Sequence, residues 1–377
     1  MFMSSRTIHR SIGSAVLLLA LLLTACGATP QTNAPTAVPQ AEPTAALQAE
    51  PTAQTNQQPA GEQVVYVYSA RHYGPMEATF SKFTAETGIE VRLSQGSVQS
   101  LLERLRAEGK QSPADVFFSI DAGGLALAAE EGLLRPIQSP ALEQAIPAEL
   151  RDPQGRWFGL TQRVRTIVYH PDRVNPEELS TYAGLADPKW KGRLCLRPSS
   201  HIYTLSLVSS LIAADGREGA LQTVQGWVAN EPQFIDSDSQ ILSTIAAGGC
   251  DVAITNHYYL GQALAKDPAF PVKVFWANQD DRGVHRNISG MGVTAAARHP
   301  ENAQKLIEWL ATTGQGASAE DTTALPGGNN EFPANPQAPT LARIAAFGTF
   351  KTDPLPLAEY GKYQPEAVKL LQEAGYK

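Results

Sequence analysis

Val64-Val65-Tyr66-Val67-Tyr68-Ser69, the break Ala70-Arg71-His72-Tyr73-Gly74-Pro75 and the run from Met76 to Thr87 decide the reading of this chain. The first six residues are β-branched or aromatic in all but one position, which predicts a strand. Met76, Phe80 and Phe83 then recur at helical spacing, and Gly88 closes that helix. The pattern repeats. Ile89-Glu90-Val91-Arg92-Leu93 reads as a strand, Ser100 to Glu108 as a helix with Leu101, Leu102 and Leu105 inward, Ala114 to Ser119 as a third strand and Gly123 to Glu131 as a third helix. A β-α-β-α-β rhythm predicts an α/β fold with a mostly parallel sheet flanked by helices.

Downstream, Thr166-Ile167-Val168-Tyr169-His170-Pro171 predicts a strand that proline ends and that crosses into a second lobe. That lobe takes in a strand at Arg193 to Arg197, helices from Thr204 to Ala214, Ala220 to Ala229 and Ser239 to Ala247, and the buried strand Cys250 to Thr255. Val272 to Trp276 reads as the return strand. Ile288 to Ala296 rejoins the first sheet, and Pro300 to Thr312 is an amphipathic helix with Ala303, Leu306, Ile307 and Leu310 on one face. The expected partition is 63–165 with 277–340 as lobe 1, 166–276 as lobe 2, and 341–377 as C-terminal helices packed on the lobes. Hinge strands near Thr166–Tyr169 and Phe275–Trp276 would lie between them.

The amino-terminal end carries its own information. Arg6 and Arg10 precede an apolar run from Ala15 to Leu23, too short to span a bilayer, which ends in Leu23-Thr24-Ala25-Cys26. Residues 1–25 are therefore expected to be a lipoprotein signal, with Cys26 the lipidated residue and the membrane reached through that lipid anchor. Residues 26–62, rich in Pro, Ala, Thr and Gln, cannot bury a core and are expected to form a disordered tether. The formal charge of −7 becomes −9 once the two arginines of the signal are removed. An evenly mixed, mildly acidic surface argues against nucleic acid. Outside the cytoplasm Cys195 and Cys250 could form a disulfide or remain two buried thiols.

Ligands of open α/β sheets bind beyond the carboxyl ends of strands. Three such ends here carry phenol or imidazole: His72 and Tyr73 after the first strand, Tyr203 after Arg193–Arg197, and Tyr258 and Tyr259 after the cysteine strand. Closing two lobes would bring these five groups to one point. A free phenol keeps its proton at neutral pH, but a hard, highly charged cation favours the deprotonated oxygen. Phenolates with one imidazole suit Fe(III) better than a soft metal. Four phenolates, a neutral His and Fe(III) sum to −1, so Arg163 and Arg165 are candidates to face the phenolates or to bind a companion anion. His257 is expected to hydrogen-bond beside the ligands, and His201 and His285 to be loop or surface residues.

The chain resembles the periplasmic ferric-iron-binding proteins of iron ABC transport systems, of the type with a His-Tyr pair near the start of the mature domain. The resemblance rests on Tyr68 to Tyr73, Pro113 to Phe117, Asp121 to Leu125 with Gly132-Leu133-Leu134, and Asp187 to Gly192. It continues through Arg197-Pro198-Ser199-Ser200, Asn256 to Tyr259 and His299 to Ala303, so it spreads over nearly all of the mature domain. It implies a two-lobed periplasmic-binding-protein fold, type II-like, in which His72, Tyr73, Tyr203, Tyr258 and Tyr259 bind Fe(III) as transported cargo. It also implies a monomer that hands iron to ABC permease subunits outside the cytoplasm; some relatives complete the site with an anion such as carbonate. The alternative on the same fold is a small organic or oxyanion solute held without iron. An enzyme is not expected. Ser199-Ser200-His201 lacks a G-x-S-x-G elbow and an acid partner, and the chain has neither H-E-x-x-H nor C-x-x-C.

Overall fold

The structure is a computed structural model that describes residues 62–71, 76–318 and 330–377. The expected signal, Cys26, the tether up to residue 61 and the His72-Tyr73 pair lie outside the described residues. In chain order the elements are β1 (Val64–Ser69), α1 (Met76–Thr87), β2 (Glu90–Gln95), α2 (Val98–Glu108), β3 (Val116–Ser119), α3 (Ala122–Glu130), α4 (Pro140–Ala145) and β4 (Phe158–Tyr169). Then come β5 (Leu194–Leu196), α5 (Ile202–Ala229), β6 (Gln233–Phe234), α6 (Asp238–Ala246), β7 (Val252–Asn256), α7 (His257–Lys266), β8 (Lys273–Phe275) and β9 (His285–Val293). The last are α8 (Pro300–Ala311), α9 (Thr313–Ser318), β10 (Phe332–Pro333), α10 (Ala342–Ala345) and α11 (Glu359–Glu373).

One continuous sheet runs β2-β1-β3-β9-β4-β7-β5-β6, with β8 and β10 paired to β4 off that path. At one end β2, β1 and β3 are parallel, and at the other β7, β5 and β6 are parallel. Between them β9 is antiparallel to β3 and to β4, and β4 is antiparallel to β7. Two parallel βα units are thus joined through an antiparallel ribbon, as expected for a two-lobed α/β fold.

Apolar side chains collect around each end. Val65, Val67, Phe83, Phe117, Leu125 and Leu306 belong to one core; Trp190, Trp227, Leu207, Leu211, Ile254 and Leu370 belong to another. A smaller cluster holds Val168, Ile241, Ile245 and Leu260. The middle strand links the two larger cores, since Phe158 and Leu160 sit in the first and Val164, Ile167 and Tyr169 in the second. The crossover strand thus begins eight residues before Thr166. Its upstream half is masked in the sequence by Arg163 and Arg165, which are buried here. The second strand of the ribbon is β9; Phe275, expected near the hinge, lies in β8 and pairs only with Ile167 of β4.

Two further differences have local causes. The helices expected at 204–214 and 220–229 form one run, α5, broken only by Gly216 at φ 70°, ψ 167°, a conformation open to glycine but strained for other residues. The C-terminal α11 serves both ends of the molecule, with Tyr360 in the first core and Ala367, Leu370 and Leu371 in the second.

Cys195 and Cys250 form a disulfide with Cα atoms 6.0 Å apart, joining β5 to the residue two before β7. It closes a separation of 55 residues, for which loss of unfolded-chain entropy predicts about 4 kcal/mol of stabilisation. Replacing both cysteines by alanine should lower the unfolding free energy by roughly that amount in a non-reducing denaturant titration, while leaving the spacing of Tyr203 and Tyr258 unchanged.

Candidate metal centre

β5 and β7 are adjacent and parallel, so the helices that follow them start side by side. Tyr203 is the second residue of α5. His201 caps that helix through Nδ1, which accepts the Tyr203 backbone N–H at 3.2 Å, and its ring meets the Tyr203 ring edge-on at 4.5 Å. Tyr258 and Tyr259 occupy the first turn of α7, which begins directly after Asn256. Successive helical residues are rotated by about 100°, not the 180° of a strand, and the two rings lie side by side with centroids 4.3 Å apart. The Tyr203 and Tyr258 hydroxyls approach to 2.9 Å. Both side chains are buried, at 3% and 1% exposure. Two helix N-termini therefore present converging phenol oxygens, and their dipoles favour negative charge there.

The arginines behind the phenols are not equivalent. Arg163 and Arg165 occupy same-face positions of β4, facing Asn287 and His285 in the register of β9. Both are buried, at 2% and 3% exposure. Arg165 is neutralised by Asp238 at 3.2 Å and donates to the Ile254 carbonyl at 2.9 Å. Arg163 donates through Nη2 to the Ile120 carbonyl, has no ion-pair partner among the described residues, and leaves Nη1 buried without a hydrogen bond. Its guanidinium carbon lies 5.2 Å from the Tyr203 ring centroid. Burial works against its charge, but Tyr203, Glu331, Tyr258 and Asp121 more than offset that and hold it above the ordinary arginine value. Both guanidinium groups thus lie near the Tyr203 ring, Arg165 at 5.7 Å, but Arg165 is also paired with Asp238.

The histidines divide differently from expectation. His285 is no surface residue: it opens β9, is buried, and is pushed well below the usual imidazole value by burial and then by Arg282, Arg163 and Arg165. The residues around it are polar, and it shares a small enclosed space with Arg163, Arg165, Tyr203, Asn256 and Asn287. His201 is half-buried and acts as a helix cap. His257 hydrogen-bonds beside the phenols as expected: Nδ1 accepts the Val164 N–H at 3.2 Å, and the ring stacks on Phe332 at 4.6 Å. It is fully buried, and that burial lowers it to about 3.

Several residues absent from the sequence reading complete the surroundings. Asn287 donates to Asp121 Oδ1 at 2.7 Å, accepts the Ala122 N–H at 2.9 Å and bonds Ser206 on α5. Asp121 Oδ2 in turn accepts from Gly124 N–H and from Gln364 of α11. Arg71, immediately before His72, is ion-paired to buried Glu331 at 2.6 Å, which also accepts from Thr161 of β4 at 3.0 Å. The alternation of His285, Asn287 and Ser289 along β9 was the signal available for part of this, blurred by Arg286 between the first two. Among the described residues no cluster of three His, Cys, Asp or Glu side chains could hold a metal.

Residues 68–317 match the family of bacterial extracellular solute-binding proteins, and the chain belongs to that family. Iron uptake protein A1 of Synechocystis sp. is 40% identical to it over 99% of both chains. The Fe(3+)-binding periplasmic protein of Serratia marcescens is 30% identical over 67% of this chain and 74% of its own length. Among solved structures, Trichodesmium IdiA (FutA) in complex with iron and citrate ligands superposes with a TM-score of 0.75 at 40% identity, covering 83% of this chain and all of the other. The ferric binding protein of Campylobacter jejuni gives a TM-score of 0.77 at 33% identity with the same coverage. The fold is that of the periplasmic binding proteins, and the chain is a solute-binding protein that acts outside the cytoplasm.

The two buried neutral histidines set an acid limit on the iron-free protein. Each is depressed in the folded state, so the unfolded chain binds more protons below about pH 6.5, and stability falls as pH drops through that range. Going from pH 7.5 to 5.5 should cost about 1.4 kcal/mol per histidine. Denaturant midpoints at the two pH values should show this drop, and His257→Gln should remove about half of the histidine contribution.

Proposed function

We propose that this chain captures Fe(III) between its two lobes and delivers it to the permease of an ABC transporter. The observation that carries the reading is the meeting of the Tyr203 and Tyr258 hydroxyls at 2.9 Å, with Tyr259 alongside and the otherwise unpaired cation Arg163 behind. Relatives named for iron uptake and ferric iron binding support the choice of cargo. Tyr203, Tyr258 and Tyr259 bind as phenolates from the lobe of β5 and β7, and His72 and Tyr73 join them from the end of β1. Arg163 offsets the −1 charge of such a centre and is the group that would meet a companion anion such as carbonate. Citrate accompanies iron in the Trichodesmium structure.

In this reading residues 63–165 with 277–340 form one lobe, 166–276 the other, and 341–377 pack across them. The hinge is the β4–β9 ribbon, the only part of the sheet through which both cores are joined among the described residues. Lipid on Cys26 and the tether hold the monomer at the outer face of the membrane, within reach of the permease.

Titrating the purified protein, freed of its signal, with a chelated ferric salt should produce a visible phenolate-to-iron charge-transfer band that saturates at one iron per chain. Tyr258→Phe should abolish or strongly shift it. A folded protein that stays colourless would leave a small organic or oxyanion solute as the cargo of the same cleft.

Small-angle scattering should show a smaller radius of gyration with iron than without. Identical profiles would rule out closure as part of capture.

A further inference from the structure

We propose that Tyr376 is a positioning residue for the phenol cluster, holding the segment that carries Tyr203 from behind. This rests on the iron reading above and adds to it a part of the chain that the reading did not use.

Tyr203 reaches the cluster from a short irregular path. After β5 ends at Leu196, the chain passes through Arg197-Pro198-Ser199-Ser200 before His201 caps α5. Such a segment has few bonds of its own to hold it: the His201 N–H reaches the Pro198 carbonyl at 3.2 Å. Arg197 is ion-paired to Asp236 at 3.5 Å, and further support comes from the far end of the sequence. The Tyr376 hydroxyl donates to the Arg197 carbonyl at 2.9 Å. One residue on, the Lys377 carbonyl accepts the Ser199 N–H at 2.7 Å. The Tyr376 ring is buried in the second core and packs edge-on against Phe234 at 4.7 Å.

Tyr376 and Lys377 thus hold the 197–199 stretch at two points, the Arg197 carbonyl and the Ser199 N–H. Holding that stretch sets where the first turn of α5 begins, and through it the direction of the Tyr203 hydroxyl. The Tyr376 hydroxyl is itself engaged with the Arg197 carbonyl. Its effect on iron passes through Tyr203.

Tyr376→Phe keeps the ring and its packing and removes only the hydroxyl's bond to Arg197. In the mature chain we expect the charge-transfer band to shift in wavelength and iron release to a competing chelator to quicken about fivefold, the factor that corresponds to one lost neutral hydrogen bond. The reference is the variant with both Cys195 and Cys250 replaced by alanine. It loses the disulfide but keeps the Tyr376 bond to Arg197, and should leave band and release rate as in the parent. If Tyr376→Phe lowers stability yet keeps the parent band and release rate, Tyr376 is only a core residue and the proposal is overturned. A parent protein without a band would instead remove the iron reading itself, a result distinct from either.

Discussion

Two arginines buried two residues apart on one strand form the constraint around which the middle of this molecule is arranged. Burying a guanidinium without compensation costs several kcal/mol, and removing one partner of a buried pair costs about as much. Arg165 meets this with Asp238 at the start of α6 and with the Ile254 carbonyl of β7. Arg163 meets it only in part, through the Ile120 carbonyl, and otherwise faces the faces and hydroxyls of phenols. Its charge is upheld by Tyr203, Glu331, Tyr258 and Asp121 without an ion pair among the described residues. In the proposed reading that charge would offset the phenolates.

The same ribbon separates two chemistries by strand parity. Arg163, Arg165, His285 and Asn287 share one face of β4 and β9, while Gln162, Val164 and Arg286 lie on the other beside Phe332 and Phe350. Since side chains alternate along a strand, one short sequence can turn Arg163 and Arg165 toward Tyr203 and Val164 toward Phe332 and Phe350. The disulfide joins the middle of β5 to the residue two before β7, while Tyr258 and Tyr259 follow the carboxyl end of β7.

Much of this was legible from residue order alone. The parallel βα units at both ends of the sheet follow from β-branched runs alternating with glycine-terminated helices, and Tyr258-Tyr259 stands out because paired phenols directly after a buried strand have few uses. The upstream half of β4 was hidden because Arg163 and Arg165 carry the look of surface charge. Their burial depends on Asp238 and on the register with β9, and neither a partner 73 residues away nor a register can be read from spacing. His285 was misplaced for the same reason. A lone histidine after Gly283-Val284 looks like a loop residue until the strand pairing puts it against Arg165. Arg71 with Glu331, 260 residues apart, is the extreme case.

The placement of the tyrosines on helix starts, and not on the strands themselves, suits what a multidentate site would demand. Two adjacent strand residues point to opposite faces and cannot share a ligand; two adjacent residues in a first helical turn can. The turn also supplies unsatisfied backbone N–H groups whose partial positive charge favours a phenolate. But a first turn, like a last one, is held by fewer internal bonds than the middle of a helix. Part of its rigidity has to come from outside the helix. His201 capping α5, His257 anchoring the start of α7 to Val164 of β4, and Tyr376 gripping Arg197 are three such supports. In the proposed reading none of the three needs to touch the cargo, so the precision of the centre would rest on residues that an inspection of ligands alone would pass over.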